Sequence, residues 1–298
     1  MAEPAPSRAA ESSPATDFVG KLNFANPVAQ NEGSDEQRQA FVAARLGRPT
    51  LIRDARAALG VMAEPTDATD LLANGAGFLL VHAPSAMRDW TDIGEVAEVY
   101  YKEAQVLLKE LLPTAEIGPL GSHTYRNEEI KEHYWENGIQ YGPCAAAVHN
   151  DYADSLTDDG QSVSEKFTEI QGMRTDRRVL GINIWRSVSP EPLARYPLAV
   201  CDRTSIDRAD LEYDLNPNAK PRPFNAHYCK PNAAQRWHYY SRMTRDEALV
   251  FTTYDSHPAD GEIFCPTLHT AVPLPGSEGL QERESVEVRF FPTLPLPT

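Results

Sequence analysis

The 298-residue chain has an ordinary globular composition, 41% hydrophobic and 24% charged, enough apolar material for one large core or two small ones. Its 43 acidic residues outweigh 28 basic ones, for a net charge of −15. This argues against nucleic acid or an anionic membrane as the main partner, since both require a basic face, and no apolar run reaches the length of a membrane span.

Residues 1–17 are rich in Ala, Pro, Ser and Glu and read as a disordered tail without the apolar stretch of a secretory signal. The expected compartment is therefore the cytoplasm, with reduced thiols. Cys144, Cys201, Cys229 and Cys265 are far apart and make no C-x-x-C pair, so no disulfide framework is expected. Residues 18–298 show no linker and read as one domain, with a strand-rich core over about 75–292.

Ser34 to Leu46 has the spacing of a short helix, with Ser34 as N-cap and Gly47 and Pro49 as stops. Phe78–Val81 is an apolar run of strand length. The strongest helix runs from Asp92 to Leu112: Val96, Val99, Tyr100, Ala104, Leu107, Leu108 and Leu111 recur at helical spacing, and Pro113 ends it. After residue 135 short β-branched and aromatic runs alternate with Pro, Gly and Asp. They are Ala145–Val148, Val179–Trp185, Pro197–Cys201, His238–Arg242, Ala248–Tyr254, Glu262–Leu268 and Ser285–Phe291. Seven short strands without long helices between them predict an α+β chain built on a β-sandwich or barrel, with the early helices over one face. The final PTLPLPT reads as an extended strap.

His149 and Asp151 are separated by one residue, so on a strand they share a face. Alone this is weak: with 8 histidines and 43 acidic residues in 298, chance supplies about one His-x-[Asp/Glu]. The context strengthens it. His269 lies late in the strand-rich part, and Arg283 and Ser285 follow it beyond a turn-rich PLPGSEGL. That stretch would make Glu262–Ala271 and Arg283–Phe291 a hairpin and bring His269 near Arg283. R-x-S also occurs at Arg203 to Ser205, so order and spacing select Arg283. Two histidines and a carboxylate with open positions form the facial triad of non-haem Fe(II) oxygenases. An arginine with a hydroxyl neighbour suits the far carboxylate of 2-oxoglutarate, because a guanidinium fork matches a carboxylate bidentately.

His149-x-Asp151 followed by INIWRS, PLAVCDRTS, ALVFTTYDS, PTLHTAV and RESVEVR resembles the gibberellin desaturase-like/cephamycin methoxylation-like hydroxylase/desaturase family over roughly residues 75–292. The resemblance implies a double-stranded β-helix (jelly-roll, cupin-like) fold with flanking N-terminal helices. It also implies an Fe(II)/2-oxoglutarate-dependent dioxygenase of secondary metabolism. Such an enzyme consumes O2, releases succinate and CO2, and hydroxylates, desaturates or cyclises a small, amino-acid-like or secondary-metabolite substrate.

On this reading His149, Asp151 and His269 are catalytic and hold iron. Arg283 and Ser285 take the cofactor carboxylate. Arg289 shares the face of Arg283 but lies roughly 20 Å along a straight strand, so it reads mainly as an ion-pair partner and competes with Arg283 for the ligand. Asn183, Trp185 and Ser187 alternate with Ile182 and Ile184, which would turn Asn183 and Trp185 to the barrel mouth. Arg186 faces the other way and is a further carboxylate contact only if a bulge turns it. Tyr141, Tyr152, Tyr239 and Tyr240 include the candidates for a substrate contact, while His227, His238 and His257 are competing imidazoles. The alternatives are a cupin-like Zn or Fe enzyme that does not use 2-oxoglutarate and a non-catalytic barrel that binds a small acid. Oligomeric state and substrate identity are not legible.

Overall fold

The computed structural model describes residues 16–25, 46–152, 176–215, 225–258 and 264–296. Residues 1–15 of the expected tail, 34–45 of the expected helix and 262–263 of the expected Glu262–Leu268 strand lie outside the described residues; Leu46, the expected helix end, and its expected stops Gly47 and Pro49 are instead part of a strand.

In chain order, strands β1 (Phe18–Phe24) and β2 (Leu46–Asp54) are followed by short helices α1 (Ala55–Ala58) and α2 (Thr69–Ala73) and by β3 (Phe78–His82). Then α3 (Ile93–Glu95), a π-helical turn (Val96–Tyr100) and α4 (Tyr101–Leu111) run on without a break. The strands that follow are β4 (Leu120–Asn127), β5 (Tyr134–Glu136), β6 (Ile139–Gly142), β7 (His149–Asn150), β8 (Arg178–Ser187) and β9 (Leu198–Cys201). After them come β10 (Leu211–Leu215), β11 (Asn225–Cys229), β12 (Trp237–Tyr239), β13 (Glu247–Asp255), β14 (His269–Ala271), β15 (Glu284–Phe290) and β16 (Thr293–Leu294).

The strands form two curled sheets. The first has the order β1-β2-β12-β9-β14-β7-β11-β10, and the second β3-β13-β8-β15-β4-β6-β5, with β16 also pairing β8. Together they make the jelly-roll of a double-stranded β-helix. The expected helix forms because the Asp92 carboxylate accepts from the Gly94 and Glu95 N–H groups at its start. Its buried stripe of Val96, Tyr100, Ala104, Leu107, Leu108 and Leu111 packs on Ile182, Ile184, Val286 and Val288 of the second sheet. Truncating a fully buried leucine such as Leu108 to alanine there costs about 2–5 kcal/mol. The outer face of the second sheet is thus committed to the core, and its inner face is left for chemistry.

Four expectations are corrected. The strand expected over Ala145–Val148 is irregular apart from an isolated bridge of Ala147 to Asn23, and pairing begins only at His149. Residues 264–268 are not a strand, because Pro266 cannot donate to a ladder, and only His269–Ala271 pairs. The hairpin with Arg283–Phe291 does not form: β14 pairs β7 and β9 in the first sheet, while β15 pairs β4 and β8 in the second. The intervening prolines carry the chain across the barrel, so the two strands face one another instead of sharing hydrogen bonds. The strand expected over His238–Arg242 stops at Tyr239, and Arg242 takes a turn conformation at φ 50°. The sequence reading also missed β1, β2, β4, β5, β6, β10 and β11.

Candidate metal centre

His149 on β7 and His269 on β14 are direct cross-strand partners. Such neighbours hold their side chains side by side, and the ring centroids lie 4.5 Å apart. Asp151 follows one residue beyond the end of β7. Asn150 points the other way and donates to the Thr253 carbonyl at 2.8 Å, which ties this short strand to β13. His149, Asp151 and His269 each offer a donor atom, and the three atoms lie within 4.8 Å of one another.

The imidazoles are oriented for ligation. His149 Nδ1 contacts the Ala147 carbonyl at 2.7 Å and His269 Nδ1 the Thr267 carbonyl at 3.1 Å. A carbonyl can only accept, so both Nδ1 atoms carry the proton and both Nε2 atoms keep a free lone pair. His149 Nε2 lies 3.9 Å from Asp151 Oδ1. The other carboxylate oxygen is occupied: Asn183 Nδ2 donates to Oδ2 at 2.9 Å and Arg289 Nε at 2.8 Å. Thr253 Oγ1 in turn donates to Asn183 Oδ1 at 3.1 Å.

The electrostatics agree with this arrangement. Burial pushes the His149 imidazole down to about 4, with His269 adding to the effect, and burial also lowers His269. Burial alone would raise the Asp151 carboxyl, but Arg289 and the two imidazoles hold it well below the usual carboxylate range. Two neutral imidazoles and one carboxylate, with both Nε2 atoms open and Oδ1 met by Arg289 Nη2 at a long 3.4 Å, are the donor set a divalent iron takes. The residues present therefore fit the metal.

Across the cavity stand Arg283, the residue just before β15, and Ser285, Glu287 and Arg289 on the inner face of β15. Arg283 is 2% exposed. Its Nε donates to Ser285 Oγ at 3.0 Å and its Nη1 to the Tyr196 carbonyl at 2.8 Å, with the guanidinium 5.0 Å above the Trp185 ring. Arg289 is fully engaged with Asp151, Glu287, Ser122 and Thr124. Burial pushes the Glu287 carboxyl up against the pull of Arg289. Arg283, Arg289, Glu287, Trp185, His149 and His269 line one cavity, joined by Thr124 and Arg126.

Arg186 is not brought to the site. It lies on the opposite face of β8, over the Tyr100 ring and donating to the Arg245 carbonyl, because no bulge interrupts β8 there. His227 is the register partner of Asn150 and so faces away from the triad. His238 packs on Phe78 and His257 contacts Ser256. Tyr141 stacks on Tyr134, Tyr152 packs on Phe291, Tyr239 donates to the Thr16 carbonyl and Tyr240 packs on Phe78. None of these four tyrosines lines the cavity. Sequence reasoning missed Arg126 and Glu287. Their signal was present: polar Ser122, Thr124 and Arg126 alternate with His123 and Tyr125, as Arg283, Ser285, Glu287 and Arg289 alternate with Val286 and Val288.

Residues 24–292 match the family described as oxidoreductase/YMDC permease-like domain. The chain is similar to the hydroxylase/desaturase asaB of Aspergillus flavus, 37% identical over 131 residues, which are 39% of this chain and 56% of that protein. It is also similar to the alpha-ketoglutarate-dependent dioxygenase phiK of a fungal species, 28% identical over 220 residues, 72% of this chain and 76% of that protein. The solved iron and alpha-ketoglutarate-dependent endoperoxidase NvfI superposes with a TM-score of 0.69 at 21% identity, over 94% of this chain and 99% of that one, and so shares the fold. The chain is an Fe(II)/2-oxoglutarate-dependent oxygenase, and it belongs to the oxidoreductase/YMDC permease-like domain family.

Proposed function

We propose that residues 18–298 form one oxygenase domain in which His149, Asp151 and His269 hold Fe(II) and Arg283 with Ser285 receives the C5 carboxylate of 2-oxoglutarate. The observation that carries this reading is the convergence of two Nε2 atoms and one carboxylate within 4.8 Å, opposite a buried arginine in the same cavity. When bound, iron, 2-oxoglutarate and O2 supply an oxidant able to take a hydrogen atom from a C–H bond, with succinate and CO2 as the co-products.

The chain supplies binding, orientation and shielding. The Ala147 and Thr267 carbonyls fix both imidazole tautomers. Arg289 and Asn183 keep Asp151 ionised and hold Oδ2 closely, while Oδ1, which Arg289 Nη2 reaches at 3.4 Å, is turned to the His149 imidazole. Arg283, desolvated under Trp185, pairs with a carboxylate far more strongly than an exposed arginine would. Arg289 is committed to Asp151 and Glu287 and takes no part in gripping the cofactor.

The substrate is a small molecule, oxidised by hydroxylation, desaturation or ring closure. The net charge of −15 and the interior position of the triad favour it over nucleic acid or an anionic membrane. No helix among the described residues is long and apolar enough to cross a membrane. The test is anaerobic reconstitution with Fe(II) and 2-oxoglutarate, followed by oxygen. The reading expects a weak visible band on mixing and iron-dependent succinate release. A cupin-like zinc enzyme or an acid-binding barrel would give neither.

A further inference from the structure

The cavity carries more positive charge than its own residues balance. Three guanidinium groups, those of Arg126, Arg283 and Arg289, face two carboxylates, those of Asp151 and Glu287. A divalent iron and a 2-oxoglutarate dianion add equal and opposite charge, so one positive charge is left over. The register places it. Arg289 is saturated, and Arg283 belongs to the cofactor subsite. Arg126 on β4 donates to His133 Nδ1 at 3.0 Å, and among the ion pairs of the described residues it has no carboxylate partner. His133 offers no counter-charge, since an imidazole is only ever neutral or cationic, and burial and Arg126 itself lower its pKa and so favour the neutral form. Burial pushes Arg126 down to about 10; Glu287 opposes this, while Arg289 and Arg283 add to it.

The same sheet face extends outward from this arginine. Glu287 pairs Thr124, Thr124 pairs Gln140 and Gln140 pairs Trp135, so all four share the inner face, with Arg126 in the next row opposite Ser285 and Gly142. Trp135 is 57% exposed at the open edge of the sheet. A Cβ at position 142 would fall on the Arg126 and His133 side chains, so the glycine provides the space in which the guanidinium sits.

We infer that Arg126 receives a carboxylate of the small-molecule substrate while Trp135 covers the substrate's apolar body, making a hydrophobic carboxylic acid the substrate class. This rests on the proposed assignment of Arg283 to 2-oxoglutarate.

The test uses the full chain loaded with redox-inert Mn(II) and saturated with 2-oxoglutarate, titrated with 1-naphthylacetate and with its neutral counterpart 1-naphthylacetamide. The wild type should bind the acid about tenfold to a hundredfold more tightly than the amide, the range of one charge-assisted hydrogen-bonded contact. Arg126→Gln should erase that preference with the amide and 2-oxoglutarate affinities unchanged, and Arg126→Lys should keep part of it. Trp135→Ala should weaken both probes by the same factor. Equal binding of acid and amide by the wild type, failure of both probes to bind, or a preference that survives Arg126→Gln each overturns the inference. Loss of 2-oxoglutarate binding in Arg126→Gln also overturns it, by moving Arg126 to the cofactor. If the wild type binds no 2-oxoglutarate, the Arg283 assignment fails instead, and titration without it still decides whether Arg126 reads the carboxylate.

Discussion

β7 and β14, which carry the two histidines, are two and three residues long, whereas β8, β13 and β15 across the cavity run for ten, nine and seven. The short pair has few ladder hydrogen bonds of its own and is pinned by side chains, notably Asn150 to β13 and Asp151 to Arg289. The long strands are buried on both faces, with Ile182, Ile184, Val286 and Val288 packed against the helices. The wall proposed to hold the cofactor is therefore preorganised by the core, while the wall proposed to hold the metal depends on its side chains and their partners. Local stability follows the density of buried contacts, so substitutions in the two walls should have separable effects.

The largest effect is expected in the first sheet. His149→Ala or His269→Ala should weaken iron binding by at least about a hundredfold, more than the 10–100-fold typical of losing an outer partner of a ligand. The circular dichroism of the long-stranded sheet should be unchanged, and retention of stoichiometric iron with normal turnover would remove the residue from the triad. Next, Arg283→Ala should weaken 2-oxoglutarate roughly 30-fold to several-thousand-fold, the range of about 2–5 kcal/mol for truncating one side of a buried charge pair. Iron affinity should be unmoved, and Arg283→Lys should recover only part, since a point charge replaces a fork.

Arg289→Ala joins the two walls. It should cost about 10–100-fold in metal affinity, because Asp151 loses the partner that orients it. At saturating metal it should leave 2-oxoglutarate affinity nearly as it was, a contrast that equilibrium titrations of the two variants would check. The smallest effect concerns acid. His123, buried in the second sheet, is pushed down to about 4 by burial, whereas an unfolded histidine titrates near 6.5. The unfolded chain therefore takes up a proton below that value while the folded chain does not, and stability is lost as pH falls towards 4. At pH 5.5 the loss from this group is about 1 kcal/mol. Urea melts of the metal-free protein at pH 7 and 5.5 should show this difference shrinking in His123→Gln.

The triad was legible because a one-residue spacing on a strand and an ordered downstream set are local properties of the sequence. The helix over Asp92–Leu112 was legible for the same reason, its apolar period and Asp92 cap being read directly. Strand pairing was not: His269 and Arg283 are only fourteen residues apart, yet they sit on opposite walls, because proline placement and sheet closure decide which edges meet. The alternation of Ser122, Thr124 and Arg126 puts Arg126 on one strand face, but that this face meets the cavity comes from its register partners on β15 and β6, which no local pattern announces. Arg186 was counted only on condition that a bulge turned it inward, and β8 runs without one there, so it stays on the outer face.

The central claim, that the first sheet holds iron and the second holds 2-oxoglutarate, is tested most directly by anaerobic titration of Fe(II) into the protein in the presence of 2-oxoglutarate, followed by its visible band. The account predicts a band that saturates at one iron per chain. It should be absent in His269→Ala at any 2-oxoglutarate concentration, and in Arg283→Ala it should return at high 2-oxoglutarate. A band that persists in His269→Ala, or one that excess 2-oxoglutarate cannot restore in Arg283→Ala, would contradict it.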